Sequence, residues 1–274
     1  MTYNVLGPAA LEYLPCQYGS SRLTFRGPKR QLDDPYIVFL GGNQTYGKFI
    51  EKPFPLRVEH QTGITSVNLG QPNAGLDVFA GDVTVAEMAR QARVCVIEVL
   101  GAANMSNRFY KVHPRRNDRF LGAAPQLRHL YPDVDFTAFH FTGHMLQHLY
   151  HLDAERFAVV RRTLQRVWVQ RMRRLCKKLG GKIVLLWMAR DTVPDQWAGG
   201  PGEGPAFVCR DMLEALGEVA CVTVEAPWST QARAQGTSGM VFTSFEKGAA
   251  SLLAGPEAHC DAAEILRPVL DDLV

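Results

Sequence analysis

A glycine-rich turn after the first apolar run is the first place where the chain could do chemistry. Residues Gly41–Gly47 read Gly-Gly-Asn-Gln-Thr-Tyr-Gly and directly follow Tyr36–Leu40. Glycine permits a tight turn with positive φ, which brings backbone N–H groups to the end of a strand. The turn lacks the Gly-Lys-Ser/Thr ending of a phosphate-binding loop and the spacing of a dinucleotide site. It therefore leaves two interpretations open, a ligand site or a structural turn.

A second candidate is the polar segment 104–119, in which five cationic residues lie among aromatic ones. Arginine binds carboxylate, sulfate and phosphate groups through two parallel hydrogen bonds, so this segment suits an anionic partner. We expect Arg108 to face the site, because it lies closest to the end of the preceding apolar run. The alternative is a solvated loop whose cations pair with acidic neighbours.

Four histidines, His140, His144, His148 and His151, would form one stripe on a helix. A pair spaced by four residues can bind zinc, but a catalytic zinc usually takes a third ligand from elsewhere in the chain. Aromatic and aliphatic residues lie between the histidines. We therefore expect a packed helix face and predict neither a metal site nor a cofactor.

The elements that must position these residues can be placed from apolar patterning. Nearly continuous apolar runs predict buried parallel strands, and they are Tyr36–Leu40, Ile64–Leu69, Val94–Leu100, Lys182–Ala189 and Val219–Val224. Helical patterns lie between or after them, at Thr84–Ala92, Ala154–Leu179, Val208–Leu216 and Asp261–Leu273. Such alternation predicts a doubly wound, five-stranded parallel sheet with its ligand site at the carboxyl ends of the strands.

Some segments interrupt this alternation. Residues 1–33 contain several turn signals and are predicted to form an N-terminal extension, and residues 102–153 form an insertion after the third strand. The glycine-rich loop 190–205 also follows a strand end, so it and the insertion are placed to cover the site. We predict one α/β domain over residues 1–274 with a helical insertion.

Composition limits the class of protein. The 274 residues are 46% hydrophobic and 21% charged, which is typical of a globular protein, and a net charge of +3 is too small to indicate nucleic acid binding. No signal-peptide pattern or membrane-spanning apolar run is present, and the six cysteines are scattered. We expect a cytoplasmic protein with reduced thiols, no membrane span and no nucleic acid partner.

The order of the features resembles the SGNH (GDSL-type) hydrolase superfamily, whose members are esterases and acetyl-hydrolases with a flavodoxin-like three-layer α/β/α fold. The first block of that superfamily is Gly-Asp-Ser-x-Thr-x-Gly, and this chain matches it at Gly41, Thr45 and Gly47. Gly42 stands where the family has aspartate, and Asn43 stands where it has the nucleophilic serine.

Later blocks of the superfamily are matched in part. Asn68–Gly70 corresponds to the second block, Gly101–Asn104 approximates the third with its asparagine one position late, and His259 matches the last, with Pro256 in place of aspartate. The resemblance implies that Gly42, Gly70 and Asn104 form an oxyanion-type pocket and that His259 is the general base. A closer resemblance, through Gly41–Gly47 and residues 104–110, is to a family of bacterial proteins of unknown function.

The substitution at the nucleophile position changes the expected chemistry. An amide cannot be deprotonated to attack an ester, so Asn43 cannot act as serine does; Thr45 and Ser106 are the alternative nucleophiles. The resemblance therefore implies an altered site, in which Asn43 and Thr45 contact a ligand and Arg108 binds its charge. We expect the protein to bind or process an acylated or anionic small molecule or a glycan. The alternative is a non-catalytic module that binds a carbohydrate or an anionic metabolite.

Overall fold

The computed structural model describes residues 11–202 and 204–274. Its strands are β1 (Tyr36–Leu40), β2 (Thr65–Asn68), β3 (Val94–Glu98), β4 (Tyr110–Val112), β5 (Phe120–Ala123), β6 (Ile183–Ala189) and β7 (Val222–Pro227). The helices are α1 (Asn43–Tyr46), α2 (Phe54–Thr62), α3 (Asp77–Ala80), α4 (Val83–Gln91), α5 (Pro125–Leu130), α6 (Thr142–Leu152), α7 (Ala154–Leu179), α8 (Arg210–Glu214), α9 (Thr230–Gln235), α10 (Lys247–Ala250) and α11 (Pro256–Leu273). Short 3-10 turns occur at Phe136–Ala138 and Ser244–Glu246.

Five parallel strands form the central sheet in the order β2-β1-β3-β6-β7. Alternate residues of these strands enter two separate apolar cores. Val38 and Ile97 belong to the core that includes α4 and α7, whereas Phe39 and Val96 belong to the core that includes α2 and α11. The sheet therefore has helices on both faces, which is why its strands have nearly continuous apolar sequences. The predicted three-layer α/β fold with a five-stranded parallel sheet is confirmed.

The chain between β3 and α7 contains the antiparallel pair β4-β5 and the helices α5 and α6. It is attached to the rest of the protein beside the carboxyl ends of the sheet strands. Asn117 is fully buried; its Oδ1 accepts the Gly75 N–H (2.9 Å), and its Nδ2 donates to the His113 carbonyl (2.9 Å). The side chain of Trp168 on α7 donates to the carbonyl of Leu100 (2.7 Å) and thereby fixes the chain just after β3.

Element boundaries differ from the predicted ones in a way that matters for the site. The predicted range of α7 agrees with the structure, and the side chain of Asp153 caps its first turn by accepting the Arg156 N–H (2.8 Å). The last helix begins at Pro256 rather than at Asp261. Proline suits the first turn of a helix, where its missing N–H costs nothing. His259 therefore lies inside a helix instead of in the loop before it.

In the described part of the chain, no helix is both long and apolar enough to span a membrane.

Candidate functional site

A polar cavity of about 260 Å³ lies at the carboxyl ends of the strands. Its walls come from the turn after β1, the chain after β3, the end of β6, and loops around residues 73, 118, 205 and 252. Strand order reverses direction between β1 and β3, and such a switch point is where open α/β sheets bind ligands. We call it the central cavity; its polar side chains are Asn43, Gln44, Asn73, Glu98, Asn104 and Asp118.

Glu98, the last residue of β3, holds the glycine turn in place. Its Oε2 accepts hydrogen bonds from the Gly42 N–H (2.8 Å), the Thr45 N–H (2.8 Å) and the Thr45 hydroxyl (2.6 Å). These bonds cross from β3 to the neighbouring strand end and fix the path of the turn. They also engage the donors that would otherwise face the cavity.

The position of Glu98 controls its charge. Burial raises the pKa of this carboxyl, while the bonds from Thr45 and Gly42 act in the opposite direction. Glu98 thus supports the turn with one oxygen, Oε2, while the other, Oε1, accepts no hydrogen bond from the described residues.

The amide side chains of the cavity are engaged to different degrees. Asn43 and Asn73 bond to each other, with Asn43 Nδ2 donating to Asn73 Oδ1 (3.0 Å) and the Asn73 N–H donating to Asn43 Oδ1 (3.3 Å). Gln44 Oε1 accepts the Ala254 N–H (3.2 Å), which ties the turn to the segment before α11. Asn104 makes no side-chain hydrogen bond with the described residues, so both of its polar groups are available to a ligand.

Asp118 brings a second carboxyl into the cavity from the insertion. Burial raises its pKa, and the charges of Arg119 and Arg116 act against that rise. No cationic side chain and no hydroxyl or thiol side chain lines the central cavity in the described part of the chain. The cavity therefore suits hydroxyl and amide groups better than an anion.

Two N–H groups of the predicted oxyanion-type pocket, those of Gly42 and Gly70, are already hydrogen-bonded within the protein, and the predicted ligand contact Thr45 lies outside the cavity. The Gly42 N–H is bonded to Glu98, and the Gly70 N–H donates to Asn68 Oδ1 (2.9 Å). A Cβ at Gly70 would lie 2.3 Å from the Tyr46 nitrogen, so glycine is required there for packing. Thr45 is fully buried and does not line the cavity. Of the predicted residues, the structure brings Gly42, Asn43 and Asn104 together in the central cavity.

Arg108 does not reach the central cavity. Its guanidinium donates to the Thr163 hydroxyl on α7 (3.0 Å) and lies over the ring of Phe109 (4.8 Å to the ring centre). Ser106, the alternative nucleophile, is also engaged elsewhere, since its hydroxyl accepts the Val112 N–H (3.0 Å). Proximity to a strand end in sequence does not determine the direction of either side chain.

His259 lies outside the central cavity, at the interface of α11 and α2. Its Nδ1 accepts the N–H of Phe54 at the start of α2 (3.1 Å), and its ring stacks on the Phe54 ring. Burial first, and the charges of Arg57 and Arg26 second, lower its pKa to about 3. Leu252 and Leu253 line the cavity instead, from the loop before α11. In this position the His259 side chain joins two helices and does not line the central cavity.

Sequence reasoning missed Glu98, Asp118, Asn73 and Gln44. Glu98 carries a usable signal, because it is the single charged residue in the apolar run Val94–Leu100. A charge inside a buried strand requires partners and marks a site worth inspecting. Asp118 and Asn73 carry no such signal, because each lies in a polar loop that tertiary contacts bring to the cavity.

The histidines and cysteines do not assemble into a metal centre within residues 11–202 and 204–274. His140 precedes α6, and the rings of His144 and His148 pack against Phe139 (5.3 and 5.2 Å between ring centres). The six cysteines are free thiols.

Fold and cavity together define a three-layer α/β protein with a polar cavity at the carboxyl ends of its strands. A family model described as "Domain of unknown function (DUF6473)" matches residues 1–274, and the chain belongs to that family. No curated protein matches the chain. Among solved structures, a lipase from a goat rumen metagenome is similar at 10% identity and a TM-score of 0.43, over 86% of this chain and 97% of the lipase chain.

Proposed function

We propose that the central cavity binds a small, uncharged molecule rich in hydroxyl groups, such as a monosaccharide or the end of a glycan. The observation that carries this proposal is the cavity's lining of four side-chain amides and two carboxyls, without a cation in the described part. Amides donate and accept, and carboxyls accept, so together they match hydroxyl groups that do both. Binding without serine-based hydrolysis is the role that this set of groups supports best.

We also infer a distant kinship with the SGNH hydrolases. The strand order, the placement of Gly41–Gly47 directly after β1 and the placement of Asn68–Gly70 directly after β2 all support it. Asn43 at the nucleophile position and His259 in a helix interface both argue that the ester-cleaving machinery was lost while the cavity was kept. The protein is thus proposed to be a binding module with a hydrolase-like ancestry.

Direct titration tests the binding proposal. Isothermal titration calorimetry with glucose, galactose and N-acetylglucosamine at millimolar concentrations should give saturable binding to at least one sugar. Asn104→Ala should weaken that binding by about tenfold, since it removes both hydrogen-bonding groups of one side chain. The matched control is Gln170→Ala, an exposed polar residue on α7 that should leave the affinity unchanged. Absence of saturable binding to all three sugars, or equal affinity in wild type and Asn104→Ala, would overturn the proposal.

A second candidate function is acid–base chemistry on the bound molecule. It is favoured by the raised pKa of both Glu98 and Asp118, because a carboxyl that keeps its proton can serve as a general acid. Hydrolysis of p-nitrophenyl glycosides should then be detectable in the wild type, and Asp118→Asn should reduce it by about a hundredfold or more. No turnover above the buffer rate leaves binding as the sole function of the cavity.

A further inference from the structure

A second cavity, chemically opposite to the first, lies beside it. This arginine cleft has a volume of about 690 Å³ and is lined by Arg22, Leu23, Thr24, Gln71, Pro72, His113, Arg115, Arg116 and Arg119. Three separate segments form it: the N-terminal strip around residue 23, the loop after β2, and the turn between β4 and β5. The proposed function above does not use it.

The arginines of the cleft form no close ion pair in the described structure, although the charges of Arg116 and Arg119 act on the Asp118 carboxyl. The four guanidiniums are exposed, and none forms an ion pair with residues 11–202 or 204–274. Arg119 lies over the ring of Phe141 (4.2 Å to the ring centre), which orients it without neutralising it. Asp118, the acidic residue in the turn, lines the central cavity instead. Four cations around one concavity repel each other unless an anion is bound.

Backbone contacts fix the turn that carries three of these arginines. His113 Nδ1 accepts the N–H groups of Arg115 and Arg116 (3.2 Å each), and the His113 N–H donates to the Arg119 carbonyl (2.9 Å). With Nδ1 as an acceptor, the proton of the neutral ring lies on Nε2, so His113 can add a donor to the cleft. The buried Asn117 anchors the same turn to Gly75. The backbone of the turn that carries these arginines is therefore held in one conformation.

The opposite wall is anchored as well. Ser21 donates to Asp82 (2.6 Å) and accepts the Leu23 N–H (3.1 Å), which fixes the strip next to Arg22. Gln71 Nε2 donates to the Thr24 carbonyl (2.9 Å) and joins the strip to the loop after β2. Cations from two independently anchored walls thus surround the same space.

We propose that the arginine cleft binds the phosphoryl or sulfuryl group of a small-molecule ligand. A tetrahedral oxyanion offers several acceptor oxygens, and each guanidinium can donate two parallel hydrogen bonds to it. The two cavities share a boundary, since Pro72 lines the cleft and Asn73 lines the central cavity, while Arg116 and Arg119 flank Asp118.

Calorimetric titration with inorganic phosphate and inorganic sulfate tests this proposal without reference to the sugar. Both ions should bind with a stoichiometry near one, and the tighter of the two indicates whether the ligand is a phosphate or a sulfate ester. The double variant Arg115→Gln/Arg116→Gln should weaken binding by about tenfold or more, because two charge-assisted contacts are lost. Arg22→Gln, on the opposite wall, should weaken it in the same direction.

The control is Arg162→Gln/Arg166→Gln, which removes the same charge from two exposed arginines on α7. If this variant loses as much affinity for phosphate and sulfate as the cleft variants do, the loss reflects net charge alone, and the proposal is overturned. The proposal is also overturned if neither ion binds the wild-type protein saturably. Thermal melts should show that each variant is folded. A labelled twelve-residue oligonucleotide that binds far more tightly than phosphate, and loses affinity in the cleft variants, would instead make the cleft a nucleic acid surface.

Discussion

Glu98 and His259 are both buried ionisable groups, but they differ in what surrounds them. Glu98 accepts three hydrogen bonds at one oxygen and borders the central cavity. His259 accepts one hydrogen bond at Nδ1, and its Nε2 is buried without a hydrogen-bond partner in the described structure. The carboxyl borders a polar cavity, whereas the imidazole is part of a helix contact.

Burial shifts the two pKa values in opposite directions for one reason. The interior disfavours the charged form, so the pKa of Glu98 rises and that of His259 falls to about 3. A shifted pKa alone therefore does not distinguish a catalytic group from a packed one. The distinction comes from whether the group has a free atom next to a cavity, and Glu98 meets that criterion where His259 does not.

The largest expected effect comes from removing the carboxyl of Glu98. Glu98→Ala leaves two backbone N–H groups and the Thr45 hydroxyl without their acceptor. Each unsatisfied buried donor costs about 1–3 kcal/mol, so the free energy of unfolding should fall by at least about 3 kcal/mol. Urea unfolding followed by circular dichroism measures the loss.

Glu98→Gln is the matched control for that experiment, because its amide oxygen can replace Oε2 as acceptor at nearly the same volume. Glu98→Gln should therefore regain most of the free energy of unfolding that Glu98→Ala loses. If the free energy of unfolding of Glu98→Ala lies within about 1 kcal/mol of the wild-type value, the carboxyl does not hold the turn. Glu98 and His259 would then not differ in the way described above.

The pH dependence of the free energy of unfolding should show that His259 is buried in its neutral form. Because the folded-state pKa of His259 is about 3, against an ordinary value near 6.5, the unfolded chain binds more protons between these limits. The stabilisation is complete above about pH 6.5 and is lost as the pH falls toward 3. His259→Asn removes this titration, so between pH 6.5 and 4.5 the variant should lose less stability than the wild type, by on the order of 2 kcal/mol.

Glu98→Gln should change the same pH profile with the opposite sign. A carboxyl whose folded pKa is raised contributes stability below its ordinary pKa and loses it as the pH rises through the folded value. Removing that carboxyl should therefore make the free energy of unfolding at neutral pH larger relative to its value at acid pH.

The His259 prediction has its own contradicting outcome. If the free energy of unfolding varies with pH in the same way in His259→Asn and in the wild type, the imidazole is not buried in solution.

The sheet could be predicted from the sequence because burial on both faces leaves nearly continuous apolar runs. The range of β1 was predicted as the structure has it, and four further runs overlap β2, β3, β6 and β7. Both ends of α7 were also predicted, from its amphipathic pattern and the glycines after it. The start of α11 was missed because Pro256 was read as a motif position instead of a helix start.

The site could be predicted only in part, because its location follows from topology but its side chains follow from tertiary contacts. The turn after β1 was identified, and Gly42, Asn43 and Asn104 do line the central cavity. The side chain of Arg108 points away from the central cavity, since its partner Thr163 lies 55 residues away on α7. Anion binding by the segment that contains Arg108 stays a prediction, and the arginine cleft moves it to later residues of that segment.

The smallest expected effect is no change at all in ester hydrolysis when Asn43 is replaced by serine. It tests most sharply whether His259 is separate from the cavity that Glu98 borders. Asn43→Ser places a hydroxyl where the SGNH first block has its serine, but a serine nucleophile requires a base that takes its proton. His259 is bonded to the Phe54 N–H, and no imidazole lines the central cavity in the described residues. Hydrolysis of p-nitrophenyl acetate by Asn43→Ser should therefore equal that of the wild type.

Adding Gly42→Asp to that variant should not rescue activity. A Cβ at Gly42 would lie 3.1 Å from Leu100 Cδ2 and 3.4 Å from Glu98 Oε1, so the new side chain would be crowded by both residues. The decisive control is Asn43→Ser/His259→Ala. Turnover that appears in Asn43→Ser and disappears in this double variant would show that His259 leaves its helix contact and reaches the cavity, and the two buried groups would then belong to one site after all.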